Sequence, residues 1–167
     1  MNELYIYNSK IYLSFFLFSI ISDSINKKNA ADEGNIKSID IIRRIKDVLF
    51  INGCNIKNLP HPYLYRVLHQ MEELDAGFLE SDVVDYLNLD PVIVRDYRII
   101  IFFRCPWTEN VNEAITLAKK LNKKVLFDID DLVIDKKYTE LIPYIKTLSS
   151  KDKTLYDDGV MRIEKTL

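Results

Sequence analysis

Glycine is scarce in this chain, at 4 of 167 residues, against a usual share of about 7%. Backbone loops that cradle phosphate groups are built from clustered glycines, and neither GxGxxG nor a GxxxxGKS/T run occurs. A self-contained nucleotide enzyme of those types is excluded. Cysteine is nearly absent too. Cys54 and Cys105 cannot staple a chain of this length into a disulfide framework, and no CxxC spacing offers zinc or redox chemistry. They read as free thiols of a reducing cytosol. Neither sign of charge dominates: 23 Lys and Arg stand against 25 Asp and Glu, for a net charge of −2. No basic excess directs the molecule toward nucleic acid, and no run of like charge makes a tail.

No apolar run reaches membrane-spanning length. Residues 11–21 (IYLSFFLFSII) are eleven nearly continuous apolar positions, too few for a bilayer. Glu3 and Lys10 precede them and Ser22-Asp23-Ser24 follow, so a signal peptide's basic start and small-residue cleavage site are both missing. The run reads as a buried or interfacial helix. Lys27-Lys28 and Arg43-Arg44 add the expectation of peripheral contact with an anionic membrane surface. Residues 26–40 turn polar, which places a boundary between an amino-terminal helical extension (1–43) and a folded domain (44–167). What is present in that domain, with 48% apolar and 29% charged residues over the whole chain, is the profile of a globular protein.

From residue 44 the pattern alternates. Residues 48–51 (VLFI) read as a fully buried strand leaving through Asn52-Gly53. Leu64, Val67, Leu68, Met71 and Leu74 lie on one helical face, stopped by Gly77 at the place of a left-handed cap. Residues 81–86 form a second, weaker strand. Asp90-Pro91 opens a short helix to about residue 98. Residues 99–103 (IIIFF) are the strongest strand, apolar on both faces. Thr108 caps a helix with Val111, Ala114, Ile115, Ala118 and Leu121 on one side, ended by Asn122, with lysines at its carbonyl end. Residues 124–128 form the fourth strand, and residues 138–167 are helical in pattern, with Leu155, Ile163 and Leu167 at compatible spacings. That end has neither cap nor glycine, and it reads as a fold cut short. Alternation with doubly apolar strands implies an α/β parallel sheet covered by helices, with functional groups at the carboxyl ends of the strands. Those ends are Gly53-Cys54, Arg104-Cys105 and Asp128-Ile129-Asp130-Asp131.

The acidic cluster admits three readings. In a haloacid-dehalogenase-like phosphatase one aspartate attacks phosphorus and the next is the acid/base, with Mg²⁺ between them; only 36 residues follow Asp131 to supply the rest. In a metal-dependent glycosyltransferase a D-x-D pair holds a cation on a diphosphate. In the third, Asp130 or Asp131 caps the next turn and holds a basic partner such as Arg104 at the neighbouring strand end. His61 and His69 lack a companion at metal-ligand spacing. His69 shares a helix with Tyr65 and Arg66, at i+4 and i+3, which sets polar groups on one face.

As a set, the run Tyr65-Arg66-Val67-Leu68-His69-Gln70 after Gly53-Cys54, then Phe127-Asp128-Ile129-Asp130-Asp131-Leu132-Val133, Tyr138-Thr139 and Leu155-Tyr156-Asp157-Asp158-Gly159-Val160, resembles the amino-terminal half of bacterial two-domain glycosyltransferases of GT-B architecture. Members of that family act in cell-surface polysaccharide synthesis, including rhamnose-containing polymers. The likeness covers about residues 44–167. It implies a Rossmann-like acceptor-side domain, one half of a GT-B fold, whose missing carboxyl-terminal partner domain binds most of the nucleotide-sugar donor. It further implies no metal, no cofactor on this chain alone, a glycan or lipid-linked glycan acceptor, and a cytoplasmic location on the inner membrane face. Gly53, Cys54, Tyr65, Arg66, His69, Gln70, Arg104, Asp128, Asp130 and Asp131 would then face the cleft, with the catalytic residue unassigned. The rival expectation is a non-enzymatic α/β binding or scaffolding module that engages a partner protein or the membrane surface through residues 11–21.

Overall fold

Strands as apolar as residues 48–51 and 99–103 need cover on both faces, and a parallel sheet between helix layers supplies it. The computed structural model describes residues 6–7, 45–57, 60–130, 135–139 and 141–167; the expected helix over residues 11–21, its linker and Asp131 lie outside them. The strands are β1 (Ile6–Tyr7), β2 (Lys46–Asn52), β3 (Ser81–Asp85), β4 (Tyr97–Phe103) and β5 (Lys124–Asp128). They form one five-stranded sheet in the order β1-β5-β4-β2-β3, every pair parallel. Phe50 stands opposite Ile101, and Ile101 opposite Leu126. The chain is thus a Rossmann-like α/β fold, to which residues 6–7 add an edge strand beside β5.

The helices follow from local chemistry. One helical run comprises α1 (Pro60–Tyr63), a π-helical turn (Leu64–Leu68) and α2 (His69–Ala76). It covers one face of the sheet, where Val67, Leu74 and Leu79 pack with Val48, Phe50, Ile99, Ile101, Phe103 and Leu126. On the other face α3 (Glu109–Lys120) and α5 (Ser150–Thr166) set Val111, Ala114, Ala118, Val160 and Ile163 against Leu49, Ile51, Ile100, Phe102 and Phe127. The short α4 (Lys136–Thr139) precedes α5. Thr108 accepts a hydrogen bond from the Val111 N–H at 3.2 Å, as its capping position requires. Asn122 takes the left-handed conformation after α3, with φ 54°. Asp90 accepts from the Val92 N–H at 3.0 Å, and the element it opens is a 3₁₀ helix, Pro91–Asp96, rather than a helix to residue 98. Tyr97 already belongs to β4.

Four expectations need correction. Gly77 is not the left-handed residue: its φ is −87°, and Phe78 takes that conformation at φ 62°. The Leu79 N–H donates to the Leu74 carbonyl and the Phe78 N–H to the Asp75 carbonyl, each at 2.9 Å. This is the paired pattern of a Schellman stop, which demands the left-handed residue one place later. Leu155 is 63% exposed, because the eight residues to Ile163 leave it roughly 80° around the helix. The buried face of α5 is Asp157, Val160, Ile163 and Thr166. Leu121, one residue beyond the last turn of α3, is exposed as well. Finally, Arg66 does not share an outer polar face with Tyr65 and His69. The π turn widens the helix by about one residue, which leaves Leu64 and Tyr65 exposed and turns Arg66 and Val67 inward.

Candidate site at the carboxyl ends of the strands

Three strand exits meet at one end of the sheet. At the end of β2 the Asn52 side chain is 1% exposed and is held by the backbone two residues on. Its Nδ2 donates to the Cys54 carbonyl at 2.9 Å, and its Oδ1 accepts from the Cys54 N–H at 3.1 Å. Gly53 donates its N–H to the Phe103 carbonyl at 2.8 Å. A Cβ at Gly53 would collide with the Arg104 carbonyl oxygen and the Cys105 Cα. Glycine stands here because two backbones touch, not because of φ, which is not positive. At the end of β4, Arg104 takes a left-handed φ of 45°, a conformation that costs a side-chain-bearing residue about 1–3 kcal/mol. Its N–H donates to the Asp128 carbonyl at 2.9 Å, which ties this exit to that of β5.

Two ion pairs lie across these exits, and they differ in access. Arg66 reaches from the π turn to place Nη2 2.9 Å from Asp128 Oδ1 and donates to the Ile129 carbonyl at 3.1 Å. Both members are sealed, at 5% and 2% exposure. The Asp128 contact has ion-pair distance without hydrogen-bond alignment, because the same nitrogen is shared with the Ile129 carbonyl. Arg104 Nη1 lies 3.2 Å from Asp130 Oδ1, and this pair keeps 14% and 24% of its side-chain surface open. The pairing of Arg104 with Asp130 is the one expected between neighbouring strand ends.

Burial governs the protonation chemistry. Desolvation pushes Asp128 up from 3.8 to about 6; Arg66 opposes the rise and Asp130 adds to it. Burial likewise raises the Cys54 thiol, with Arg104 pulling it down and Asp130 pushing it up. Cys105 is raised further by burial. Both thiols are therefore held in the protonated, weakly nucleophilic form.

The structure brings Gly53, Cys54, Arg66, Arg104, Asp128 and Asp130 to one end of the sheet. Gln70 is buried one turn after Arg66. Tyr65 is exposed, its ring edge-on to His69 with centroids 5.2 Å apart and stacked on His61 at 6.4 Å. The three rings form a stripe on the outer face of the helix. Asn52 is the site residue that sequence reasoning missed; an Asn-Gly pair directly after a buried strand is the signal that marks it. Two of the quoted segments meet elsewhere: Lys136 Nζ lies 3.3 Å from Asp157 Oδ2, and the Thr139 hydroxyl lies 3.5 Å from Asp157 Oδ1, which joins α4 to α5.

Aspartyl-phosphate chemistry needs a carboxylate open to phosphorus, and Asp128 is closed off beneath Arg66. Among the described residues no group of three or more His, Cys, Asp or Glu side chains is placed to hold a metal, and no helix is long and apolar enough to cross a membrane. The Arg104–Asp130 pair can offer N–H donors and carboxylate acceptors to a ligand with neighbouring hydroxyls. Fold and site together define a Rossmann-like α/β domain with a charged mouth at its carboxyl end. The sequence matches no protein-family model and no curated protein.

Proposed function

We propose that this chain is the acceptor-side, Rossmann-like half of a nucleotide-sugar-dependent GT-B glycosyltransferase that extends a cell-surface polysaccharide at the cytoplasmic face of the membrane. The observation that carries this reading is the half-open Arg104–Asp130 pair at the carboxyl ends of adjacent parallel strands, where α/β sheets place their ligands. The pair can bind vicinal hydroxyls of a glycan or lipid-linked glycan acceptor, the guanidinium donating and the carboxylate accepting. Below it the sealed Arg66–Asp128 pair pins the helical run to the exit of β5, and the Arg104 N–H to Asp128 carbonyl bond ties the exit of β4 to the same point. In this reading a second domain supplies most of the nucleotide-sugar contacts, and the resemblance of the motif set from Tyr65 to Gln70 and from Phe127 to Val133 supports that architecture.

The test is ligand-observed NMR of the full chain with rhamnose-containing oligosaccharides from a bacterial surface polymer, run beside nucleotide sugars. Saturation transfer to the oligosaccharide is expected, lost in Arg104→Gln and Asp130→Asn without loss of folding. No transfer to any glycan, or transfer that survives both substitutions, overturns the proposal.

A further inference from the structure

The opposite, amino-terminal end of the sheet holds a concavity of 560 Å³ between the starts of β2 and β3 and the last turns of α2. Leu68, Met71 and Leu79 give it an apolar lining, and Glu72, Asp75 and Glu80 add carboxylates. The cation beside them, Lys46, is already neutralised: its ammonium lies 2.6 Å from Asp82 Oδ2, which also accepts from the Tyr97 hydroxyl at 2.6 Å. Glu72 and Asp75 are exposed and make no ion pair among the described residues. The surroundings of the apolar lining are therefore net negative.

Phe78, next in the chain to Leu79, is 96% exposed and left-handed at φ 62°. Glycine would satisfy that backbone at no steric cost, and a polar residue would suit the exposure. A large aromatic here works against the fold on both counts. Such an outlier points to a role outside folding, and it stands one residue before Leu79 of the apolar lining.

We propose that this concavity docks a basic amphipathic segment of a partner protein. Its aliphatic side chains enter against Leu68, Met71 and Leu79, its Lys or Arg residues face Glu72, Asp75 and Glu80, and Phe78 packs along its edge. Charge complementarity selects this occupant. An anionic membrane is repelled by the carboxylates, and a second copy of the chain would oppose them with its own. The seven residues of β2 separate this surface from the Arg104–Asp130 mouth by about 20 Å, so both ends can be occupied together. The proposal stands independently of the glycosyltransferase reading.

The experiment titrates the full chain with a fluorescein-labelled decapeptide bearing leucines on one helical face and arginines on the other, read by anisotropy and by amide shifts in NMR. Saturable binding is expected, with shifts at Leu68, Met71 and Leu79 and affinity falling as salt rises from about 50 to about 300 mM. The Glu72→Lys/Asp75→Lys double variant should weaken binding at least about tenfold, and Phe78→Gly by about tenfold while raising the melting temperature. A charge-matched control on α3, Glu109→Lys/Glu113→Lys, should leave affinity unchanged. Shifts centred on Gly53 and Arg104 overturn the proposal, as does equal weakening by the control. Binding of anionic vesicles by the unmodified chain, with shifts at Leu68, Met71 and Leu79, also overturns it, as does a dimer in sedimentation that Phe78→Gly dissolves.

Discussion

Replacing Asp128 by asparagine sets two large effects against each other, and the structure decides between them. Breaking a buried ion pair by removing one partner usually costs about 3–5 kcal/mol, since it strands the other charge. On that ground Asp128→Asn should destabilise the fold. Yet Asp128 is only 2% exposed, and even with Arg66 beside it folding favours its acid form relative to the unfolded chain, since its pKa rises from 3.8 to about 6. The Arg66 attraction is already contained in that value. Such a rise corresponds to about 3 kcal/mol. The sign follows from linkage: a carboxyl whose folded pKa lies above its unfolded value contributes stability that is full below pH 3.8 and is lost as pH rises through about 6. Asparagine mimics the protonated acid at every pH. Asp128→Asn should therefore equal the wild type near pH 4 and exceed it by up to about 3 kcal/mol above pH 7. Urea unfolding of both proteins across that range reads the difference directly. A variant less stable than wild type at pH 8, or a gap that does not change with pH, refutes the assignment of burial as the dominant force on this carboxylate.

Gly53→Ala forces a methyl group into the Arg104 carbonyl and the Cys105 Cα; neither is a flexible side-chain end, so a loss of about 3 kcal/mol or failure to fold is expected in denaturant titration. Phe78→Gly relieves the left-handed φ of 62° while giving up almost no burial, so it should add about 1 kcal/mol and raise the melting temperature by about 2–4 °C in calorimetry. On α5, Leu155→Ala should stay within about 0.5 kcal/mol of wild type, whereas Val160→Ala, 2% exposed in the core, should cost about 1–2.5 kcal/mol. Equal losses at the two positions would contradict the observed helix phase.

The sheet is legible in the sequence because each strand's apolar run is short, bounded and local. Residues 99–103 have no polar position to set a solvent face, and the capping side chains of Asp90 and Thr108 act within three residues of themselves. The helix phases are less legible, because periodicity assumes one uniform turn. The five-residue π turn at Leu64–Leu68 shifts the phase in the middle of the run, so counting from Leu64 places Arg66 outside when it is inside. The stop at Gly77 is misread for a related reason: composition marks where a left-handed residue is cheap, whereas the hydrogen-bond pattern decides where one is needed, and here that is Phe78.

The two ion pairs divide along the same line. Arg104 and Asp130 follow adjacent strands by one and two residues, so strand register alone brings them together, and the sequence contains that register. Arg66 comes 62 positions before Asp128 in the chain, and only the widened turn aims it at β5. The sealed pair thus rests on the local departure that periodicity hides, while the open pair rests on the regular structure that it reveals. That division has a functional side. A buried pair whose carboxylate resists ionisation adds little net stability at neutral pH, yet it joins the helical run over residues 60–76 to the exit of β5 at one fixed point. Arg104, strained at φ 45° and anchored by its N–H to the Asp128 carbonyl, takes its position from that same exit. The rigidity of the open pair is thereby derived from the closed one. Under the proposed acceptor-side reading, Arg66→Gln should weaken saturation transfer to an oligosaccharide held by Arg104 although Arg66 itself is sealed beneath the pair.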